Sequence, residues 1–420
     1  MFEIFEKYES NVRSYCRAFP IKIKKASNAF LITSDGVPYI DFFAGAGAMN
    51  FGHNNPYIKS KIMEYLEMDN IIHALDMYTE AKEKFIKTFI NNILLPKKMN
   101  YKIMFCGPTG TNAVEAALKL VRKNKKRSNV IAFSGAFHGM SLGSLAVTSD
   151  SYSRSGGGVP LSNATFAPYC NQFGDHRKSL DYLEWMLTDD HSGIDKPAAI
   201  LFESVQAEGG VNVAAIEWLK KLRDLCKRHD ILLVCDDIQV GVCRTGNYFS
   251  FERADIIPDI VILSKSISGF GLPMSILLIR PELDIFNPAE HNGTFRGNQL
   301  AFVGATAGLE YYMENNLTQI VLEKEKIISD FLINEIQPIN RLLLVRGIGM
   351  IWGIDFSKIE PSLSGVAMQY CVNSNLIIER AGSNNCVLKI LPPLTIEKET
   401  LIEGLRIIKM AITETLKEKM

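Results

Sequence analysis

Four short segments carry residue types that could share one piece of chemistry. Gly107-Pro108-Thr109-Gly110-Thr111-Asn112 follows the apolar run Ile103-Met104-Phe105 and opens a helical pattern with Val114, Leu118 and Val121 on one face. Glycine permits a tight turn. The free N–H groups at a helix start attract an anion, and a phosphate is the natural ligand of Gly110 and the Thr111 hydroxyl. No Lys follows as in a nucleotide-binding P-loop. A plain Thr-capped helix has the same signature. Phe133-Ser134-Gly135-Ala136-Phe137-His138-Gly139 ends a second apolar run. There Phe137 can lie flat on a cofactor ring, with His138 next to it as a further cofactor-binding candidate; a core Phe reads the same way.

Cys235-Asp236-Asp237-Ile238-Gln239 ends another apolar run. Paired carboxylates at such a place suit a metal ion. They suit an aromatic cofactor better. One of the two Asp can pair with a protonated pyridine nitrogen, Ile238 can pack under the ring and Gln239 can reach a phenolic oxygen. The fourth segment is Leu263-Ser264-Lys265-Ser266, directly after Ile260-Val261-Ile262. Most lysines sit on solvated surfaces. One placed at a crowded strand end is desolvated, so its pKa falls and its amine can act as nucleophile and base. Phosphate, ring, charge and amine functions together are what pyridoxal 5'-phosphate requires. No metal site is predicted.

The elements that must position these groups are legible as a pattern. Ile103–Phe105, Val130–Phe133, Ala199–Phe202, Ile231–Cys235, Ile260–Leu263 and Ile276–Ile279 are continuous apolar runs separated by amphipathic helical stretches. This predicts an α/β architecture with a mainly parallel sheet buried on both faces. Ligands of such sheets bind outside the carboxyl ends of the strands. Beyond about residue 300 the pattern becomes α+β: helices near 301–314 and 319–336, strands near 342–356, 376–379 and 387–391, and a closing helix near 396–418. Residues 1–50 contain a hairpin around Asp35-Gly36 and are expected to pack with the C-terminal part or a subunit interface. The expected division is residues 1–50, a large cofactor-binding domain over 51–300 and a small domain over 301–420. The Ser- and Gly-rich stretch 150–175 reads equally as a mobile active-site loop and as an ordinary surface loop.

Bulk composition narrows the function classes. Hydrophobic residues make up 47% of the 420 and charged residues 22%, with 46 basic against 46 acidic side chains. Nothing there predicts a nucleic-acid or membrane partner. No window reaches 18 apolar residues, and the start lacks the basic-then-apolar order of a signal peptide. The eight cysteines show no C-x-x-C spacing, as expected of free thiols in a reducing cytoplasm.

These segments resemble the class III (ω-) aminotransferases, whose fold is that of the fold type I pyridoxal-phosphate enzymes. The resemblance runs from about residue 10 to the end. Val12–Arg17, Phe43–Gly47, Gly52–Pro56, Ala74–Lys82, Gly107–Lys119 and Leu263–Pro273 are similar to the diaminobutyrate–2-oxoglutarate aminotransferases of ectoine, siderophore and peptide biosynthesis. That implies transfer of an amino group from L-glutamate to L-aspartate 4-semialdehyde, giving L-2,4-diaminobutanoate and 2-oxoglutarate by a ping-pong route. Other aminotransferase substrates (ornithine, 4-aminobutanoate or a pathway-specific aldehyde), an aminomutase and a non-catalytic binding module are the alternatives. The resemblance implies a Schiff base on Lys265, with Asp236 as the ring-nitrogen partner. It also implies a homodimer, or a tetramer, with shared sites, because Thr294 matches a phosphate-binding Thr that comes from the neighbouring subunit. Glu208 and Lys389 match a Glu–Arg pair that switches between amine donors with and without an α-carboxylate. Lys in place of Arg departs from the wider family and gives up the bidentate fork. Arg380 is a weaker candidate for a distal substrate carboxylate.

Overall fold

The computed structural model describes residues 2–417. In chain order the strands are β1 (Ile23–Ser27), β2 (Phe30–Thr33), β3 (Pro38–Asp41), β4 (Lys102–Phe105), β5 (Val130–Phe133), β6 (Ala164–Ala167), β7 (Ala199–Phe202), β8 (Val205–Gln206), β9 (Asn212–Val213), β10 (Leu232–Asp236), β11 (Ile260–Leu263), β12 (Ile276–Ile279), β13 (Leu344–Ile348), β14 (Ile351–Asp355), β15 (Leu376–Ile377), β16 (Glu379–Ala381) and β17 (Val387–Ile390).

Seven of them form one sheet in the order β4-β12-β11-β10-β7-β5-β6. Strand β12 runs antiparallel to both neighbours, and the pairs among β11, β10, β7, β5 and β6 are parallel. Every residue of β5, β7, β10, β11 and β12 is buried. Burial on both faces explains why these strands read as unbroken apolar runs rather than alternating ones. The helix Gly110–Lys125 covers part of the sheet with Val114, Leu118 and Val121, the face expected from its spacing. The carboxyl ends of β4, β5, β7, β10 and β11 therefore share one edge, and the loops leaving them carry Gly110, Phe137, Glu203, Gln239 and Lys265.

The predicted N-terminal hairpin is the antiparallel pair β2–β3. Strand β15 adds to it in parallel, with Leu376 opposite Ile40. The C-terminal stretch forms a second, antiparallel sheet in the order β13-β14-β17-β16. The single strand expected near 376–379 is thus two strands in two sheets. The chain crosses between them at the buried Ile378, and β16 then pairs with β17. The expected helix over 319–336 is Leu317–Phe331 continued by a π-turn over Leu332–Ile336. The closing helix spans Lys398–Lys417, and residue 418 lies outside the described residues.

Arg244 ties these parts together. It is fully buried and donates from Nη1 to the carbonyls of Met350 (2.9 Å) and Pro392 (2.8 Å). Its Nη2 and Nε donate to Asn50 Oδ1 at 2.6 and 3.1 Å. In the 150–175 stretch, Arg154 Nη1 bonds the carbonyls of Leu145, Ala146 and Thr148, which pins the start of that segment to the preceding helix.

Candidate active site

The glycine-rich end of the site is built by close approach of three loops. Thr109 caps the helix that starts at Gly110, its Oγ1 accepting from Asn112 N at 3.3 Å. A Cβ at Gly110 would lie 2.9 Å from Ile238 Cδ1, and one at Gly139 would lie 2.5 Å from Thr111 Oγ1. Only glycine lets the loops after β4, β5 and β10 close in this far. The Thr111 hydroxyl is 2.8 Å from Ser141 Oγ and accepts from Ser141 N at 3.2 Å. The result is a capped helix start lined by two hydroxyls, donors that an anion site can use.

The two neighbouring carboxylates part company. Asp236 is buried, with Oδ2 2.7 Å from His138 Nδ1 and Oδ1 accepting from Ile238 N at 3.1 Å. His138 thus orients Asp236 from behind, and its Nε2 is buried without a partner among the described residues. Asp237 turns the other way and accepts from Ser250 Oγ and from Ser250 N at 3.1 Å. Burial pushes the Asp237 carboxyl up to about 7, against the lowering effect of the Ser250 bonds. Committed to Ser250, it does not join Asp236 as a paired ligand. Glu203 adds a third carboxyl at the end of β7. Burial and then the charge of Asp236 hold it well above the usual carboxylate range, and its Oε2 faces Phe137 N at 3.4 Å.

Lys265 opens a 3-10 turn directly after Ser264, with φ +52°. A lysine in the left-handed region costs about 1–3 kcal/mol and persists only where its surroundings over-determine it. The flanks supply that: Ser264 Oγ donates to Met274 O at 2.8 Å and Ser266 Oγ donates to Gly47 O at 2.7 Å. Burial pulls the amine down to about 8, although Glu208 opposes this. The amine is therefore poised to be partly neutral near physiological pH.

A separate cluster lies beside the amine. Lys389, on β17, is fully buried, and its Nζ donates to Glu208 Oε1 at 2.6 Å and to Gln239 Oε1 at 3.4 Å. Glu379 Oε1 faces the same ammonium at 2.9 Å. Gln239 also donates to Ala46 O at 2.8 Å, so it spans the gap between the strand-end site and this cluster. The phenol of Tyr15 is pushed up to about 12 by desolvation, then by the charges of Glu379 and Glu208, so the N-terminal segment runs near the cluster.

Arg380 does not join it. Glu379 is in register with Lys389, and Arg380 is in register with Leu388. Successive strand side chains point to opposite faces, so the guanidinium lies on the other side, where a Cβ at Gly365 would sit 2.9 Å from Arg380 Nη1. The sequence-based candidate Arg380 therefore stands apart from Glu208 and Lys389. Thr294 is exposed in the loop between β12 and the helix Gln299–Glu314. Its loop runs beside the helix that starts at Gly110, with His291 Nε2 3.1 Å from Asn112 Oδ1.

The class III aminotransferase profile matches residues 12–412. The chain belongs to the class III aminotransferase family. Among curated relatives, the diaminobutyrate–2-oxoglutarate transaminase of Wolinella succinogenes is 50% identical over 420 residues, covering 99% of this chain and 97% of that protein. That of Bordetella parapertussis is 49% identical over 419 residues, covering 99% and 96%. Among solved structures, the ornithine aminotransferase of Toxoplasma gondii superposes with a TM-score of 0.85 at 23% identity, covering 99% of this chain and 94% of that one. An aminotransferase of Bacillus anthracis gives 0.88 at 21%, covering 98% of each. These last two bear on the fold alone.

For this aminotransferase, sequence reading missed Glu203, Glu379 and Tyr15 as members of the site. A signal for Glu203 was available, because it follows β7 at the level where Asp236 ends β10. Glu379 and Tyr15 carry no local signal. Each reaches the cluster through strand pairing or chain packing that no window of sequence displays.

Proposed function

We propose that this aminotransferase transfers the amino group of L-glutamate to L-aspartate 4-semialdehyde, giving L-2,4-diaminobutanoate and 2-oxoglutarate in a ping-pong cycle. The observation that carries this reading is end-to-end identity: 50% over 420 residues to a diaminobutyrate–2-oxoglutarate transaminase. Members of the family work with pyridoxal 5'-phosphate, and the residues present fit it. Gly110 and Gly139 line a cradle that a Cβ would fill, Asp236 is a buried carboxylate aimed by His138, and Lys265 offers an amine with a lowered pKa.

When bound, the cofactor supplies an electron sink for the reacting carbon. Gly110 and Thr111 would hold its phosphate. Phe137 and Ile238 would face the two sides of its ring, and Gln239 its phenolic oxygen. Asp236 would keep a proton on the ring nitrogen, with His138 fixing the carboxylate's direction. Lys265 would anchor the cofactor, and its Nζ would then take and return the proton at the substrate carbon. Glu208 and Lys389 would sort the two substrates. With a terminal amine donor, Glu208 neutralises Lys389; with glutamate, the α-carboxylate takes that place.

Thr294 would serve the phosphate site of a second copy in a homodimer. Exposed Ile71, Met77, Tyr78 and Phe295 support a covered face beside it. No helix among the described residues is long and apolar enough to cross a membrane. All eight cysteines are free, which supports a cytoplasmic location. Purified holoenzyme incubated with glutamate and aspartate semialdehyde is expected to form diaminobutanoate faster than it aminates any other aldehyde of a donor–acceptor panel. Failure to form diaminobutanoate, with turnover of ornithine or 4-aminobutanoate instead, rejects the assignment.

A further inference from the structure

Three oxygen atoms surround the ammonium of Lys389, and two of them belong to carboxylates. Glu208 Oε1 lies at 2.6 Å and Glu379 Oε1 at 2.9 Å. The carboxylates differ in access: Glu208 shows 32% of its side chain and Glu379 only 9%, while Lys389 shows none. They also differ in how they are held. Glu379 stands opposite Lys389 in the β16–β17 register, so backbone pairing fixes the two together. Glu208 lies in the loop between β8 and β9, on the open side. The Glu379 contact is one of charge, because Glu379 Oε1 lacks hydrogen-bond geometry to any donor among the described residues.

A dicarboxylate substrate brings one more negative charge. Lys389 can receive it only where Glu208 stands, since Glu379 is walled in. The Glu208 side chain gives up its direct contact but stays beside the site, so the substrate carboxylate and Glu379 share the ammonium with Glu208 as a third carboxylate still in its field. We propose that Glu379 is a specificity-determining residue: it holds Lys389 from the closed side in both half-reactions, leaves Glu208 as the exchangeable partner, and weakens the grip on the α-carboxylate so that the dicarboxylate product is released. This rests on the reading of Lys389 as the α-carboxylate site.

The surroundings support a proton-linked version of the same device. The charged and titratable groups facing Glu379 are Lys389 on β17, Glu208 on the β8–β9 loop, Lys265 beyond β11 and Tyr15 of the N-terminal segment. Burial raises the Glu379 carboxyl and Glu208 adds to this, with Lys389 opposing. Glu379 is thus the member that takes up a proton when a third carboxylate arrives.

The test is inhibition of the holoenzyme by glutarate, a dicarboxylate with neither amine nor ketone. Glu379→Gln is expected to lower the glutarate Ki about tenfold, because its neutral side chain spares the cost of protonating Glu379 on binding. Glu379→Asp keeps the charge and is expected to keep the wild-type Ki. Lys389→Ala is expected to raise it. If Lys389→Ala leaves the Ki unchanged, the α-carboxylate reading itself fails. If Lys389→Ala raises it while Glu379→Gln leaves it unchanged or higher, the role of Glu379 is overturned. Should Glu379→Gln not fold, calorimetric titration of glutarate into wild-type holoenzyme in two buffers of different ionisation enthalpy decides the matter. Proton uptake on binding is expected, and its absence overturns the proposal.

Discussion

Lys389 Nζ and Glu208 Oε1 meet at 2.6 Å with the lysine fully buried and the glutamate one-third open to the site. The pair is one-sided: only Glu208 can yield to an incoming group. Burial raises the Glu208 carboxyl, but the charges of Lys389 and then Lys265 override this and hold it below the usual range. It therefore stays ionised and ready to exchange for another carboxylate.

Lys389→Ala removes the charge that would meet glutamate's α-carboxylate. A hydrogen bond to a charged group contributes about 1.5–3 kcal/mol, so kcat/KM for glutamate should fall by about 10- to 100-fold. A terminal amine donor without an α-carboxylate should lose markedly less. Equal losses for the two donors, measured in steady-state kinetics, would sink the switch.

The Lys265 amine is pulled down to about 8. Its neutral form, the nucleophile, therefore grows in as pH rises through about 8 rather than through the ordinary lysine range. Recombination of apoenzyme with pyridoxal 5'-phosphate should accelerate across the same window. Stopped-flow absorbance measures this, and a rate still climbing steeply above pH 10 contradicts it. Lys265→Ala should fold, yet lack the visible absorption band of the bound cofactor.

The Asp237 carboxyl is raised to about 7 by burial. A raised carboxyl means the folded state holds its proton more tightly than the unfolded state. That contribution to stability is complete below the unfolded value, near 4, and is lost as pH rises through about 7. Asp237→Asn should flatten the melting temperature between these limits relative to wild type. A difference curve without slope there is evidence against the buried position of this carboxyl.

Arg244 serves three acceptors from Asn50, Met350 and Pro392. Leaving a buried acceptor unsatisfied costs about 1–3 kcal/mol. Arg244→Met should therefore lower stability by at least about 3 kcal/mol in denaturant melts. It should also weaken glutamate binding, because Pro392 lies three residues beyond Lys389. An unchanged midpoint removes Arg244 from this role.

Much of the site was legible from sequence for one reason. Gly110, Phe137, Asp236 and Lys265 each sit within a few residues of an apolar strand end, and parallel strands bring those ends to a common edge. Local pattern thus carried non-local information. The same logic fails where geometry depends on pairing. Asp236 and Asp237 look alike in sequence, but one faces His138 and the other Ser250. Glu379 and Arg380 are adjacent, yet only Glu379 stands opposite Lys389.

The sequence by itself determined which groups are available: a glycine-opened helix start, a carboxylate ending β10, a desolvated amine after β11 and the fold that lines them up. Burial and residue type write those into any window that contains them. Which charges share a field was decided only by the tertiary structure. The β16–β17 register turns Glu379 toward Lys389 and Arg380 away from it. Residue 15, far away in the chain, comes close enough for Glu379 and Lys389 to act on its phenol. Register and packing are properties of the folded chain, and they decide which carboxylates meet the buried Lys389.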